Sequence, residues 1–479
     1  MRLALACIAL AVPATASAQT YTINPTDDLF ARLRNLQAGD EVIVNAGTYT
    51  TTGLLQVTWA GTPQQPIIVR GADGARPIIQ GTPNQNVIDL GGSYWTLKNF
   101  EIRGGSHGVR LAASDHAVLE DLVLHSLGDV GISCNRPGQD CYQMTIRHNE
   151  IYNTGLSSTG EGMYLGGNDA TNIFRDSIVE RNYIHDMGGS QGDGIEIKTG
   201  ATGVIVRDNV IIRAKYPAIT MYGYAGSGAQ NIVERNYIHT TVDNGIQIVG
   251  QVIVRNNIVL AAGANGIQSK PSQAETPKDL VIAHNTIVGS GGPCLKSNDW
   301  ATAQNQRVTN NALYCTGGTA IDLNGGAPNA TLANNIGLGT SNAPMGFRAG
   351  TSVAADLGTA MKVYPPAGSM LINAGITTNP VIEDFNGMVR GDGMPDVGAY
   401  EHTATTNPGW DPQEGFKTET PVNGADNSMP MNVECIDFCG PPAESDSGCC
   451  SASTSPAAST LLTMLVGLAL LRRRIQSRR

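Results

Sequence analysis

Basic residues are scarce in this sequence. Of its 479 residues, 31 are Lys or Arg and 41 are Asp or Glu, so the formal net charge is −10 at pH 7. Six Arg and no acidic residue lie in segments 1–18 and 449–479, and without those segments the net charge is −16. Because the remaining chain is so acidic, we do not expect nucleic acid as a partner. An acidic polysaccharide would need a local cation or a basic patch.

Long amphipathic helices are also lacking, and aromatic residues make up only 5% of the chain. Instead, a short apolar-polar-apolar phrase such as Gly-Ile-Glu-Ile at 194–197 returns every 21 to 32 residues. Its first apolar residue falls at 109, 132, 163, 195, 219, 246, 267, 295 and 321. Such alternation is too short for a helix face and is typical of a strand. The repeat, together with 57 Gly for corners, predicts an all-β solenoid, a parallel β-helix.

A second phrase places an Asn at a fixed position of most repeats. The copies are Asn149, Asn182, Asn209, Asn236, Asn256, Asn285 and Asn311. An inward-facing Asn at a coil corner can bond its copy one coil away, about 4.8 Å along the stack. The alternative is a series of surface turns, since Asn favours turns. Because seven copies are in phase, we expect a ladder.

The start of the repeat region has a recognisable pattern. Segment 27–36 has helical spacing of Leu29, Phe30, Leu33 and Leu36, which predicts a helix capping the first coil. Segment 39–81 then shows Gly-Asp before a strand, Gly-Thr-Tyr, Gly-Thr with a later Pro-Ile, and a strand ending in Gly. It resembles the start of alginate lyases and chondroitinase B. The resemblance implies a right-handed, single-stranded parallel β-helix, which we assign to residues 19–402 and expect to be monomeric.

The far end of the repeat region shows a second resemblance. Segment 384–401 contains Asp384-Phe385-Asn386-Gly387, Arg390 and a closing Asp396-to-Glu401 run. It resembles a closing motif of bacterial β-helix proteins. The resemblance implies that Asp384, Arg390 and Glu401 pair to seal the last coil, a structural rather than a catalytic role.

Both ends of the chain read as sorting segments. Residues 1–18 have a charged start, an apolar core and a small-residue cleavage site, which predicts a secretory signal. Residues 403–447 read as a linker. Residues 448–479 hold Gly-Cys-Cys, a short apolar run and an Arg cluster, and resemble myxobacterial C-terminal sorting signals. We expect an exported chain, attached to the cell envelope at the cell surface or outer membrane, or released. The alternative is a plain membrane tail.

Eight of the nine Cys lie outside the signal segment. Cys134 and Cys141 flank a Pro-Gly loop, and Cys294 and Cys315 are 21 residues apart, close to one coil. In an exported chain this spacing predicts two disulfides. Zinc is the weaker alternative, because no His stands at ligand spacing beside these Cys.

Alignment of the repeats brings chemistry-bearing side chains into columns on one face. Glu161, Asp193 and Glu196 are expected to cluster, and such a cluster needs a cation, most naturally Ca²⁺. Lys198 and Tyr222 are expected to be neighbours, as a base and a proton donor. The same columns contain the residues predicted to bind substrate, which are Tyr164, Glu196, Gln247 and Lys270.

Asp193 and Lys198 carry a more specific resemblance. In alginate lyases and chondroitinase B, an acidic residue five places before a Lys supports Ca²⁺, and that Lys is the base. The resemblance implies β-elimination at a uronic acid. The family places an Arg one coil later, where this chain has Tyr222. Alternatives are a glycoside hydrolase using paired carboxylates, or a non-catalytic, glycan-binding surface protein on which these charges form a solvated face.

Overall fold

A computed structural model describes residues 17–418, apart from 225, 227, 378–380 and 392. The expected signal segment, apart from residues 17 and 18, and the expected tail 448–479 lie outside the described residues and stay predictions. No helix in the described part of the chain is long and apolar enough to cross a membrane.

Three rows of parallel strands, called sheets A, B and C, run along the molecule, and nearly every turn of the chain adds one strand to each row. The rows B and C belong to one 25-stranded sheet. The chain is thus a right-handed parallel β-helix, as predicted. Sheet A contains Thr20–Ile23, Glu41–Val44, Ile67–Gly71, Trp95–Lys98, Val118–Glu120, Thr145–Arg147, Ile178–Glu180, Ile205–Arg207, Asn231–Glu234, Val252–Arg255, Val281–Ala283, Arg307–Thr309 and Thr331–Ala333.

Sheet B is the sheet on which the predicted site residues lie. It contains Leu55–Ala60, Ile88–Ser93, Val109–Asp115, Ile132–Cys134, Met163–Leu165, Ile195–Thr199, Ile219–Gly223, Ile246–Gly250, Ile267–Ser269, Leu295–Asn298 and the second part of Ala312–Asn324. Two further strands extend its edge, Cys141–Tyr142 and Phe174–Arg175.

Sheet C joins sheet B through the long strand that turns a corner at Ala312–Asn324. Its strands are Thr48–Thr50, Ile78–Gln80, Glu101–Arg103, Val123–His125, Glu150–Tyr152, Tyr183–His185, Val210–Ile212, Tyr237–His239, Ile258–Leu260, Thr286–Val288, the first part of Ala312–Asn324, Asn335–Ser341 and Phe347–Ala349.

The register of sheet B follows the repeat phrase. All nine first apolar residues pair in sequence from Val109 to Ile321. They are buried and contribute to one core that fills the helix from Ile23 to Leu332. Successive side chains of a strand alternate between the two faces. The polar residue after each first apolar residue therefore stands on the outer face, as the sequence predicts.

The Asn ladder is confirmed, with one correction. Each side-chain amide donates to the carboxamide oxygen of the next Asn, at 2.8–3.0 Å, in the series Asn149, Asn182, Asn209, Asn236, Asn257, Asn285, Asn311 and Asn335. The prediction of Asn256 was wrong. Asn256 instead bonds Glu383 and Arg390 of the C-terminal segment. Asn256 stands two places before Ile258 and Asn257 two places before Val259, so the phrase alone did not separate them.

A short helix lies where the capping helix was predicted, but it spans only Leu29–Leu33. Asp28 caps its N-terminus by accepting from the Ala31 amide. Leu29 and Leu33 enter the core, and the Trp59 indole donates to the Leu33 carbonyl at 2.9 Å. The helical spacing predicted to continue to Leu36 ends at Arg34. A second helix covers Val353–Leu357, and Asn168–Ala170 forms a 3₁₀ turn.

The C-terminal residues form a second core on the outer face of sheet C. Tyr237, Ile258 and their neighbours pack there against Phe385, Tyr400 and Trp410. The predicted seal is present as an ion pair of 2.7 Å between Arg390 and Glu401. Asp384 instead accepts from backbone amides, including that of Glu401.

The segment after residue 402 does not leave the β-helix where the linker was predicted to begin. Residues 403–418 pack against the coils, and Lys417 is buried. Its ammonium group donates to Asp208 at 2.8 Å and to the Phe385 carbonyl at 2.7 Å. Residues 403–418 thus pack onto the β-helix rather than separating from it.

Both predicted disulfides are present. Cys134 bonds Cys141 across a seven-residue separation, and Cys294 bonds Cys315 in the adjacent coil. The first one closes a loop beside sheet B, and the second one ties together two neighbouring coils.

Candidate active site

The site residues gather on the outer face of three neighbouring strands of sheet B, namely Met163–Leu165, Ile195–Thr199 and Ile219–Gly223. In the central strand, Ile195 and Ile197 face the core, so the side chains of Glu196 and Lys198 project from the outer face. Parallel register then places Tyr164 beside Glu196 and Glu196 beside Thr220.

Three carboxylates converge at the edge of this face. One oxygen from each of Glu161, Asp193 and Glu196 lies within 4.8 Å of the others. All three residues are almost fully buried, with exposed fractions of 0%, 3% and 5%. Thr159 donates to Glu161 at 2.6 Å, and Thr220 donates to Asp193 at 2.7 Å. The predicted clustering is thus observed.

The cluster is electrostatically strained. Burial raises the pKa of Glu161 to about 7, with Glu196 and Asp129 adding to the effect. Burial and the neighbouring Glu196 raise the pKa of Asp193 well above its usual value. Burial also raises the pKa of Glu196, although Lys198 opposes that shift. Each carboxylate therefore favours a proton or a cation over an isolated charge.

The donor set fits a hard divalent cation. Glu161 Oε1 and Glu196 Oε2 are buried and have no hydrogen-bond partner among the described residues. An unpartnered buried oxygen is costly. A cation coordinated by all three side chains would satisfy both atoms and neutralise the clustered charge. Carboxylate oxygens are the ligands that Ca²⁺ prefers.

Lys198 occupies an enclosed position beside the carboxylates. Its ammonium group lies 2.7 Å from Glu196 Oε1 and over the rings of Tyr164 and Tyr222, at 4.6 and 4.9 Å from their centroids. Lys198 leaves the outer face of the sheet, but it is only 4% exposed. The interpretation of Glu196 and Lys198 as a solvated face is therefore wrong, because both side chains are shielded by the tyrosines and by a loop.

The two tyrosines are half-buried beside these charges. Burial and Glu196 raise the pKa of Tyr222 to about 12, so its hydroxyl keeps its proton at neutral pH. Burial raises the pKa of Tyr164 further, again with help from Glu196. Tyr222 is thus a neutral hydroxyl group next to an ammonium group.

A tight turn from a later coil covers the site. Ser272 and Glu275 exchange backbone hydrogen bonds, and the two residues between them adopt positive φ angles. At the tip, Gln273 accepts from the Thr199 hydroxyl and donates to Asn168, both at 2.8 Å. Ser272 bonds the Tyr222 hydroxyl. The turn, residues 271–277, therefore spans from the strand Ile267–Ser269 back to the site, and we call it the covering loop.

The other predicted substrate residues lie further along the same face. Gln247 pairs in register with Thr220 and stands two coils beyond Glu196. Lys270 follows the strand Ile267–Ser269, three coils beyond the strand that carries Lys198. The corresponding distances along the stack are about 10 and 14 Å. They flank the cluster at a distance rather than belonging to it.

Several neighbours of the site escaped the sequence analysis. His107 bonds Ser133 at 3.0 Å and Asp129 at 3.3 Å, and Thr159 bridges Asp129 to Glu161. His107 stands two places before Val109, at the same offset as Glu161 and Asp193 in their repeats, so the column alignment could have identified it. Gln273 had no such signal, because its contacts cross more than 70 residues of sequence.

Comparisons with known proteins agree with this architecture. A family model described as Pel9A-like, right handed beta helix region, matches residues 9–213. A second model, described as right handed beta helix region, matches residues 177–337. No curated protein sequence matches the chain.

Solved structures show the same fold at low identity. A pectate lyase, Pel9A, is 16% identical, with 80% of this chain and 97% of that chain covered and a TM-score of 0.52. The PL6 family alginate lyase AlyGC is 16% identical, with 82% of this chain and 60% of that chain covered and a TM-score of 0.50. XylC in complex with xylose is 11% identical, with 69% of this chain and 86% of that chain covered and a TM-score of 0.53. The chain is therefore similar in fold to polysaccharide lyases of the right-handed β-helix type.

Proposed function

We propose that this chain cleaves an acidic polysaccharide by β-elimination at a uronic acid, with Ca²⁺ held by Glu161, Asp193 and Glu196. The observation that carries the proposal is the enclosed contact of Lys198 with Glu196, Tyr164 and Tyr222 beside two unpartnered carboxylate oxygens. The lyase-like fold supports the same reaction class.

In this reaction Lys198 acts as the base and Tyr222 as the acid. The amine of Lys198 takes the C5 proton of the uronic acid, the electron pair forms the C4=C5 double bond, and the C4–O4 bond breaks. The leaving oxygen takes a proton from the Tyr222 hydroxyl, which holds its proton because its pKa is about 12. A bound divalent cation would neutralise the sugar carboxylate beside C5.

Lys198 must be an amine before it can act as a base. In the structure its partner is Glu196, which favours the ammonium form. A divalent cation held by Glu161, Asp193 and Glu196 would share the Glu196 carboxylate and so weaken its ion pair with Lys198. The same residues thus couple the cation site to the base.

The geometry fits a glycoside hydrolase less well. The two carboxyl groups of a glycosidase flank the glycosidic bond, about 5–5.5 Å apart in retaining enzymes and about 6.5–9.5 Å apart in inverting enzymes, where a water lies between them. Here one oxygen from each of three carboxylates converges on a single point, within 4.8 Å of the other two. That spacing suits shared ligation of one cation better than two-sided attack on a sugar.

One assay separates the alternatives. The purified chain is incubated with alginate, polygalacturonate or chondroitin, with and without Ca²⁺, and the absorbance of the unsaturated product is followed. Ca²⁺-dependent absorbance is expected with at least one polymer. New reducing ends without that absorbance would indicate a hydrolase, and binding without cleavage would indicate a glycan-binding protein.

Two substitutions test the roles of the residues. Lys198→Gln keeps a hydrogen-bonding group beside Glu196 but removes the base, so turnover should fall about 10²–10⁴-fold. Asp193→Asn should instead raise the Ca²⁺ concentration needed for activity, and excess Ca²⁺ should restore part of it. Lys215→Gln, at an exposed Lys, is the matched control. Wild-type turnover in Lys198→Gln would remove Lys198 from the mechanism.

A further inference from the structure

Arg110 stands in the same outward column as the site, on an earlier coil. Register connects it through Ser133 and Tyr164 to Glu196. The separation from Glu196 is three coils, about 14 Å along the stack. Arg110 is half-buried and shares the outer face of sheet B with the carboxylate cluster.

The disulfide-closed loop between Cys134 and Cys141 holds Arg110 in place. Asn135 of this loop accepts from Arg110 Nε at 2.9 Å. The next residue, Arg136, forms an ion pair with the buried Asp89. Asp89 also accepts from Asn86 at 2.8 Å. The carboxylate that pairs in register with Arg110 is therefore already engaged by other donors.

Arg110 itself forms no ion pair with any residue in the described ranges. A guanidinium group has five N–H donors in a planar fork, and only the Nε donor of Arg110 is used by Asn135. Burial lowers the pKa of Arg110, Asp89 and Asp129 raise it, and the like charge of Arg136 lowers it. The half-buried guanidinium group of Arg110 lies near the like charge of Arg136 and has unused N–H donors, so it can bind an anionic ligand.

We propose that Arg110 is a distal subsite that binds a carboxylate of the polymer while the reacting sugar lies at the carboxylate cluster. This inference rests on the proposed function for the class of polymer. The chain has a formal net charge of −10 at pH 7 and therefore repels a polyanion as a whole. A local guanidinium with an unused planar fork overcomes that repulsion at one sugar and selects a carboxylate over a hydroxyl.

Binding of oligosaccharides of graded length tests the subsite. Oligomers of alginate and of polygalacturonate, from disaccharide to octasaccharide, are titrated by calorimetry into the full chain carrying Lys198→Gln, so that cleavage does not consume them. Affinity should rise steeply once an oligomer is long enough to reach from the cluster to Arg110. Arg110→Gln should abolish that rise, weakening long oligomers about 10–100-fold and leaving short ones unchanged.

A second variant places a carboxylate of the protein itself beside Arg110. Asn135→Asp gives Arg110 its own carboxylate, so the subsite should be blocked and long oligomers should weaken as in Arg110→Gln, with the fold kept. Oligomers whose carboxyl groups have been reduced to alcohols should bind both variants and the parent chain alike. Arg147→Ala, on sheet A, is the control and should bind as the parent chain does.

The outcomes are distinct for the two proposals. Equal affinity of long oligomers for the parent chain, Arg110→Gln and Asn135→Asp would overturn the subsite, as would an equal loss for short and long oligomers. If the wild-type chain cleaves none of the polymers but the length-dependent loss in Arg110→Gln is found, the proposed chemistry fails and the subsite stands.

Discussion

Three carboxylic acids and one ammonium group share a small buried space beside sheet B. Burial of charge is expensive unless the charge is paired. Within residues 17–418, Lys198 forms its ion pair with Glu196 alone, so the remaining two acids need protons or a cation. The residue that reports this balance most directly is Glu161, which is fully buried.

Stability should therefore depend on pH when divalent cations are absent. Burial raises the pKa of Glu161 from 4.5 to about 7 in the folded state. Between these values the folded state binds more protons than the unfolded state, so the free energy of unfolding falls as pH rises, by roughly 3 kcal/mol for this group. Melting temperatures measured in a chelator should decline between about pH 4.5 and pH 7.

The matched variant Glu161→Gln should flatten this decline without abolishing it, because burial also raises the pKa of Glu401 to about 7. Addition of Ca²⁺ near pH 8 should raise the melting temperature of the wild-type chain but not that of Glu161→Gln. An identical pH profile for the two chains would show that Glu161 is not the titrating group.

Among the elements, the strands position the site residues and the covering loop lies over them. Lys198 and the carboxylate cluster are almost fully buried under this loop and the two tyrosines. Under the proposed function, the covering loop must therefore move before a polymer can reach them. At the tip of the covering loop, the side chain of Gln273 forms hydrogen bonds with Thr199 and Asn168.

Gln273→Ala should therefore loosen the covering loop. The substitution removes the hydrogen bonds with Thr199 and Asn168, each worth about 1 kcal/mol, and a longer one of 3.4 Å from the Asp169 amide. Hydrogen exchange of residues 271–277 and of Asn168–Ala170 should therefore speed up by about 5–30-fold. Mass spectrometry of exchanged peptides measures the rates. Gln304→Ala, at an exposed loop position, should leave both segments unchanged. Unaltered exchange in Gln273→Ala would mean that backbone contacts alone hold the loop.

For the whole molecule, the outer face of sheet C is completed by the last described residues. Trp410 packs with Tyr237 and Phe385, Glu414 pairs with Arg213 at 2.6 Å, and Lys417 reaches the buried Asp208. The β-helix body is thus longer than the repeats alone indicate.

A chain of residues 19–402 should be less stable than a chain of residues 19–418. The shorter chain exposes the apolar surface beneath Trp410, worth about 2–3 kcal/mol, and loses the ion pair of Lys417 with Asp208. The comparison is made by thermal unfolding followed by circular dichroism. Lys417→Met in the longer chain separates the two contributions, since it keeps most of the apolar stem. Equal melting temperatures would show that residues 403–418 are dispensable.

The repeat phrase by itself determined the β-helix, the register of sheet B and the clustering of Glu161, Asp193 and Glu196. The physical reason is that only one register buries the apolar residue at every position from 109 to 321, and that register stacks equal offsets. The disulfide between Cys294 and Cys315 followed from the same coil length, and the one between Cys134 and Cys141 followed from the Pro-Gly loop that the two Cys flank.

The enclosure of the site, by contrast, depends on tertiary contacts. The covering loop, the choice of Asn257 over Asn256 and the packing of residues 403–418 depend on contacts between segments far apart in sequence, which local alternation does not encode. Lys198 was expected on the outer face of the coils, and only the alternative interpretation placed it in a solvated face. Its burial arises because Tyr164 and Tyr222, one coil on either side, and a loop from three coils away close over it.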